Sequence, residues 1–182
     1  MIIGTGDSLN NLKALASELK IDRYLWFTGF IPDDELVRYL STADICVCPD
    51  PSSPLNNVST WIKIMEYMTL GKPIVAFDLP EHRFTAQQAA VYVPPNDERA
   101  FARAIAELVD DPRRRVALGV FGRHRIKTQL AWEYSIPNLL GAYGLVLPLA
   151  AHSKRQLSHD AMIAIQPQTS SFAQTRNYKS GD

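Results

Sequence analysis

The chain has 182 residues, 46% hydrophobic and 21% charged, and its Lys+Arg 19 balance its Asp+Glu 19. That length suits about one domain of the usual ~100–200 residues, and zero net charge argues against a nucleic-acid or acidic-lipid partner. No apolar run approaches the ~20 residues of a membrane helix, and the opening MIIGTGDS lacks a basic region before a long apolar stretch. No integral membrane segment and a cytoplasmic location are therefore expected. Cys46 and Cys48, one residue apart in an apolar run, are expected on opposite faces of a strand and unbridged, which excludes a disulfide scaffold.

Short apolar strands alternate with amphipathic helices, which predicts an α/β fold: a Rossmann-like parallel sheet flanked by helices. Met1–Ile3 reads as a strand ending at Gly4-Thr5-Gly6, and Ser8 as the cap of a helix carrying Leu9, Leu12, Leu15, Ala16 and Leu19 at helical spacing. Tyr24–Thr28 is the next strand, and Pro32-Asp33-Asp34-Glu35 opens a second helix with acidic residues at the positive end of its dipole. Ile45–Cys48 is an apolar strand closed by Pro49-Asp50-Pro51, followed by a polar loop and a helix from about Ser59 to Leu70, with Gly71 as its C′ residue. Pro73–Phe77 and Val91–Val93 are strands. Helices follow over Glu98–Asp110, from Pro112 to about Gln129, and from Glu133 to about Leu147, the last interrupted by Pro137. Residues 1–149 are expected to form the folded domain; 150–182 are polar, without period, and read as a disordered tail. A doubly wound sheet beginning at a glycine turn has the look of one whose first strands are missing.

Gly4-x-Gly6 sits where a dinucleotide fingerprint would, but the third glycine position is Leu9, and a plain strand-to-helix turn also accounts for the pair. Pro54–Ala76, PLNNVSTWIKIMEYMTLGKPIVA, says more. A helix N-terminus near Asn57, Ser59 and Thr60 would offer unpaired N–H groups and a positive dipole end to an anion. Glu66, seven residues beyond Ser59, falls on about the same helical face, where a carboxylate would accept hydrogen bonds from two ribose hydroxyls. On spacing alone, Ser59 and Thr60 serve equally as caps and Glu66 as a solvated side chain. Lys63 is placed either to pair with Glu66 or to neutralise a phosphate. His82 is expected in a loop at the carboxyl end of the sheet, where open α/β folds bind ligands, and His124 on a solvated basic helix. The histidines show no metal-ligand spacing with the cysteines or nearby carboxylates, so no metal is assigned.

The segment MEYMTLGKPIVA resembles the retaining glycosyltransferases of the GT-B fold, the family 4 or "group 1" class, whose signature is a glutamate, seven residues, a second glutamate and a helix end like EAMALGKPVVA. Glu66 matches the second glutamate; Val58 stands where the first belongs. MIIGTGDSLNNLKALASELKIDRYLWFTGFIP, LSTADICVCPD and VYVPPNDERAFARAIAELVDDPRRRVALG extend the resemblance over most of the predicted domain.

The resemblance implies the C-terminal, donor-binding half of such a hexosyltransferase, which uses a nucleotide diphosphate sugar as substrate and needs no cofactor. Glu66 would hold the ribose, and the amides of Val58, Ser59 and Thr60 the diphosphate, with Lys63 beside them. Gly29, Phe30 and Ile31 would contact the base, and Gly4 and Gly6 would let the backbone pass close to the nucleotide. The substitution at Val58 bears on contacts to the donor sugar ring. The family's diphosphate-neutralising Arg and Lys, and the N-terminal acceptor domain, are expected outside this chain, in a missing segment or a partner chain. A non-catalytic nucleotide-binding module and an epimerase-like GT-B relative are the alternatives.

Overall fold

The structure is a computed structural model and describes residues 1–146. The strands are β1 (Ile2–Ile3), β2 (Phe27–Gly29), β3 (Cys46–Cys48), β4 (Ile74–Phe77) and β5 (Ala90–Val93). The helices are α1 (Leu9–Glu18), α2 (Asp33–Thr42), α3 (Ile62–Thr69), α4 (Pro80–Ala86), α5 (Glu98–Asp110), α6 (Pro112–Arg125) and α7 (Trp132–Val146). A π-helical turn over Ile126–Leu130 follows α6, and Pro137 lies inside α7 rather than ending it. The chain divides at Asn138/Leu139 into two units, the first holding every strand named above. The expected tail, residues 150–182, lies outside the described residues.

Among the described residues the named strands pair in parallel, as the alternating pattern requires, with one isolated antiparallel bridge between Gly4 and Gly29, but they form two sheets rather than one. β1 pairs with β2, and β3-β4-β5 form the other sheet. The three-stranded sheet is covered on both faces. Ile74 and Ala76 of β4 pack with Cys48, Ile64 and Met68, while Val75 and Phe77 pack with Val93, Phe101, Ala104 and Leu108. Alternate residues of one strand thus feed two cores, which is why β4 is apolar throughout. Cys46 and Cys48 are both buried and free, while Val47 between them is exposed. They therefore face the same side, not opposite sides: a two-residue step returns a strand to one face.

Local signals explain the helix ends on this sheet. Gly71, at φ +66°, closes α3 in a Schellman motif: its N–H donates to the Met68 carbonyl and the Lys72 N–H to that of Tyr67. Asp97 and Asp111 accept from the N–H groups of Ala100 and Arg114, capping α5 and α6. Ser8, expected as a cap, makes no side-chain cap bond, and on α1 only Ala16 is buried; Leu12, Leu15 and Leu19 stay exposed. The two-stranded sheet gives those leucines too little surface to cover.

Candidate functional site

The loop after β3 and the start of α3 do not run as the sequence spacing suggests. Asn56–Val58 forms its own 3₁₀ turn, and α3 begins only at Ile62, with Ser59 and Trp61 extended. The Ser59 hydroxyl donates to the Leu55 carbonyl (2.7 Å) and the Thr60 hydroxyl to Glu81 Oε2 (2.7 Å). Neither caps α3. These bonds tie Ser59 and Thr60 to neighbouring segments and keep the chain extended past them, so the free amides at the helix start are those of Ile62 and Lys63.

Lys63 does not pair with Glu66. Its Nζ lies 2.7 Å from Asp50 Oδ2 and 2.8 Å from Oδ1, and 4.8 Å from the centre of the Trp61 ring. Asp50 also accepts from Cys48 Sγ at 2.9 Å. Burial opposes its charge, yet the hydrogen bonds from Cys48 and Lys63, with the Lys63 charge, hold its carboxyl below the ordinary aspartate value. Burial first, and then Asp50, push the Cys48 thiol strongly upward; burial pushes Cys46 up to about 11, with Lys72 opposing. Both are poor nucleophiles.

His82 closes this cluster from α4. It is fully buried, donating through Nδ1 to the Phe77 carbonyl at 2.8 Å, with Nε2 3.5 Å from Cys48 Sγ and 4.0 Å from Asp50 Oδ2. It lies neither in a loop nor on an open cleft. Cys48, Asp50 and His82 also form the kind of trio that their separation in sequence concealed: their polar atoms all lie within 4.8 Å of one another. The Lys63 ammonium already supplies the positive charge opposite Asp50, so the group reads as a buried hydrogen-bonded post that fixes the β3 loop and the first turn of α3. The Trp61 indole N–H beside it is buried without a hydrogen-bond partner.

A cavity of about 580 Å³ has Lys63 and Glu66 on one wall and Met1, Ile3 and Val47 among its other lining residues. Glu66 is exposed and makes no ion pair among the described residues. Gly4 and Gly29 are joined directly, the Gly4 N–H donating to the Gly29 carbonyl at 2.9 Å, both with positive φ. Gly4 and Gly6, however, line a separate cavity of about 110 Å³ beside α1. Phe30 and Val58 are largely exposed, at 80% and 74%, and Ile31 is half-buried. The predicted residues are thus distributed over neighbouring surfaces rather than gathered in one closed pocket. Reasoning from sequence missed Asp50 as the partner of Lys63; the only signal was an acid between two prolines after an apolar strand.

The sequence profile of glycosyl transferases group 1 matches residues 1–111. The chain belongs to that family. It is 32% identical over 137 residues to the GDP-mannose-dependent alpha-(1-6)-phosphatidylinositol monomannoside mannosyltransferase of Mycolicibacterium smegmatis, covering 72% of this chain and 36% of that protein. The sucrose-phosphate synthase of Thermosynechococcus elongatus superposes with a TM-score of 0.69 at 27% identity, over 78% of this chain and 35% of that one. Anabaena HepE, solved with UDP-glucose, shares the fold at a TM-score of 0.63 and 16% identity, over 77% and 40% of the two chains. The chain therefore spans little more than a third of the mannosyltransferase it matches, and its α/β architecture, parallel strands flanked by helices, is that of part of a GT-B fold. Among the described residues no helix is long and apolar enough to cross a membrane.

Proposed function

We propose that residues 1–149 are the donor-binding half of a hexosyltransferase that moves a sugar from a nucleotide diphosphate sugar to an acceptor hydroxyl, acting in the cytoplasm without a metal or organic cofactor. The observation that carries the reading is Glu66: an exposed carboxylate, unpaired among the described residues, on the α3 wall of the main cavity one turn beyond Lys63. In this reading Glu66 accepts from both ribose hydroxyls. The diphosphate lies at the start of α3, beside the Ile62 and Lys63 amides, with Val58, Ser59 and Thr60 on the loop alongside and Lys63 reaching it only by sharing its ammonium with Asp50. Gly4, Gly6, Gly29, Phe30 and Ile31 border the nucleotide from the β1–β2 side. The acceptor is held by a domain outside this chain.

The mycobacterial relative is named for GDP-mannose, so GDP and GDP-mannose are the first ligands to try, with UDP and UDP-glucose beside them. Titration calorimetry is expected to show binding of a nucleoside diphosphate that Glu66→Ala weakens by ~1.5–3 kcal/mol, the range for hydrogen bonds to a charged group. Equal affinity for both proteins would return Glu66 to the solvent-facing role.

A further inference from the structure

We infer that Cys48, Asp50 and His82 form a three-ligand site for a thiophilic divalent cation of the Zn²⁺ class, which braces β3, its loop and α4. The ligands come from three places in the fold. Cys48 ends β3, Asp50 stands two residues on in the loop, and His82 lies on α4, 34 residues from Cys48. Their ligating atoms all lie within 4.8 Å of one another. Spacing along the chain assigns no metal, because His82 meets Cys48 only through the turn from β4 into α4.

The cluster is one proton short. The Phe77 carbonyl can only accept, so its 2.8 Å bond places the imidazole hydrogen on His82 Nδ1, and in the neutral ring Nε2 presents a lone pair. Among the described residues the one polar atom within hydrogen-bonding reach of that lone pair is Cys48 Sγ, at 3.5 Å. The thiol has a single proton, and Asp50 Oδ2, at 2.9 Å, takes it. His82 is fully buried, and a buried acceptor left without a donor is costly. A cation held by thiolate, carboxylate and imidazole satisfies all three groups.

The separations suit such an ion. Ligands at ~2.3 Å for sulfur and ~2.0 Å for nitrogen or oxygen stand about 3.3–3.6 Å apart around a tetrahedron. Here Nε2 and Sγ are 3.5 Å apart, Sγ and Oδ2 2.9 Å, and Nε2 and Oδ2 4.0 Å. The carboxylate, carried by a loop, completes the set by moving less than ~1 Å. The bond from Nδ1 to Phe77 is the outer partner that metal-bound imidazoles ordinarily have, and it aims Nε2 into the cluster. Lys63 reaches both Asp50 oxygens, so it keeps Oδ1 when Oδ2 turns to the ion. The Asp50 side chain, 14% exposed, opens the way in. A thiolate ligand selects Zn²⁺ over Mg²⁺, Ca²⁺ or Mn²⁺, and three protein ligands leave the fourth position to water.

On binding, the Cys48 S–H bond breaks, its proton leaves to solvent and the sulfur electron pair forms the bond to the metal. The hydrogen-bonded post is the metal-free state of the same residues. Burial first, and then Asp50, keep the thiol protonated in that state, and the charge of the ion offsets the cost of removing the proton. The Lys63 ammonium opposes the ion by repulsion. No step of sugar transfer runs through this ion, and the inference does not depend on what Glu66 binds.

The test titrates the 182-residue chain, kept reduced with a phosphine, with Co²⁺ and then Zn²⁺. One Co²⁺ per chain is expected to give a near-ultraviolet thiolate-to-cobalt band and the strong visible bands of a four-coordinate site, and Zn²⁺ to abolish both by displacement. Cys46→Ala is expected to keep the bands and Cys48→Ser to remove the thiolate band. His82→Gln is expected to lower Co²⁺ affinity by ~100-fold or more, since loss of an outer partner alone costs about 10–100-fold. Lys63→Met is expected to raise it about tenfold, because the opposing charge is gone. Cadmium NMR needs no variant: one resonance coupled to the Cys48 β-protons and to His82 Nε2 supports the site even if a variant fails to fold. Absence of a thiolate band in the unaltered chain, or a band that survives Cys48→Ser, would overturn the inference. So would cadmium coupling to His124, His152 or His159 in place of His82.

Discussion

A Cβ placed on Gly119 would lie 2.0 Å from the carbonyl oxygen of Gly71. The first turns of backbone beyond α3 and the middle of α6 therefore touch with no side chain between them. Gly71 cannot retreat, because its positive φ and its Schellman bonds close the helix that carries Lys63 and Glu66. Gly119→Ala is expected to destabilise the fold by ~2–4 kcal/mol, in the range of severe overpacking, although alanine is the better helix former. Urea unfolding measures it; a stabilised variant would mean that α6 shifts freely against α3.

Arg125 is buried at 5% exposure and donates to the carbonyls of Phe84 and Thr85 at 2.9 Å each, closing the last turn of α4. Arg125→Met keeps much of the packing and leaves those carbonyls bare. A loss of ~1–3 kcal/mol is expected from the unpaired groups, read as a lower urea midpoint at unchanged slope. Equal midpoints would show that water replaces the guanidinium without cost.

Asp50 makes acid stability a readout of the buried cluster. Its folded carboxyl sits below the unfolded value of 3.8, so its contribution is full above that value and is lost as pH falls through the folded one. Asp50→Asn is expected to be less stable than the parent at pH 7, and the difference to narrow at pH 3 and below. Stability curves at the two pH values decide it; a constant gap would place the Lys63–Asp50 pair outside the pH response.

Transfer by this chain alone is expected to be absent. Holding donor and acceptor in register is worth ~7–11 kcal/mol of barrier, and stabilising the leaving diphosphate is usually the largest single term. The chain covers 36% of the mannosyltransferase relative, and the cavity offers Lys63 and Glu66 but no built acceptor site among the described residues. Incubation with GDP-mannose, UDP-glucose and simple acceptors is expected to give no glycoside above background. Product formation would show that the chain is catalytically sufficient.

Most of the elements were legible in the sequence, because periodicity and glycine stops are local; α4 (Pro80–Ala86) was not, its seven residues reading as the loop after β4. The all-apolar run of β4, Asp97 and Asp111 ahead of their helices, and Gly71 after α3 each act within a few residues of where they stand. The family was legible for the same reason: MEYMTLGKPIVA is one contiguous helix end and strand. Tertiary structure decided the rest. Ser59 and Thr60 look like caps until Leu55 and Glu81 take their hydroxyls, and Lys63 looks like a partner of Glu66 until Asp50, thirteen residues back, meets it across the β3 loop. His82 reads as a ligand-facing histidine until α4 buries it against Cys48. Those outcomes depend on which segments outside the helix lie at hydrogen-bonding distance in the folded chain, and no pattern within a single helix or strand records that. The split of the sheet is of the same kind: β1 and β3 each carry a normal strand signal, and only the tertiary structure puts them in separate sheets.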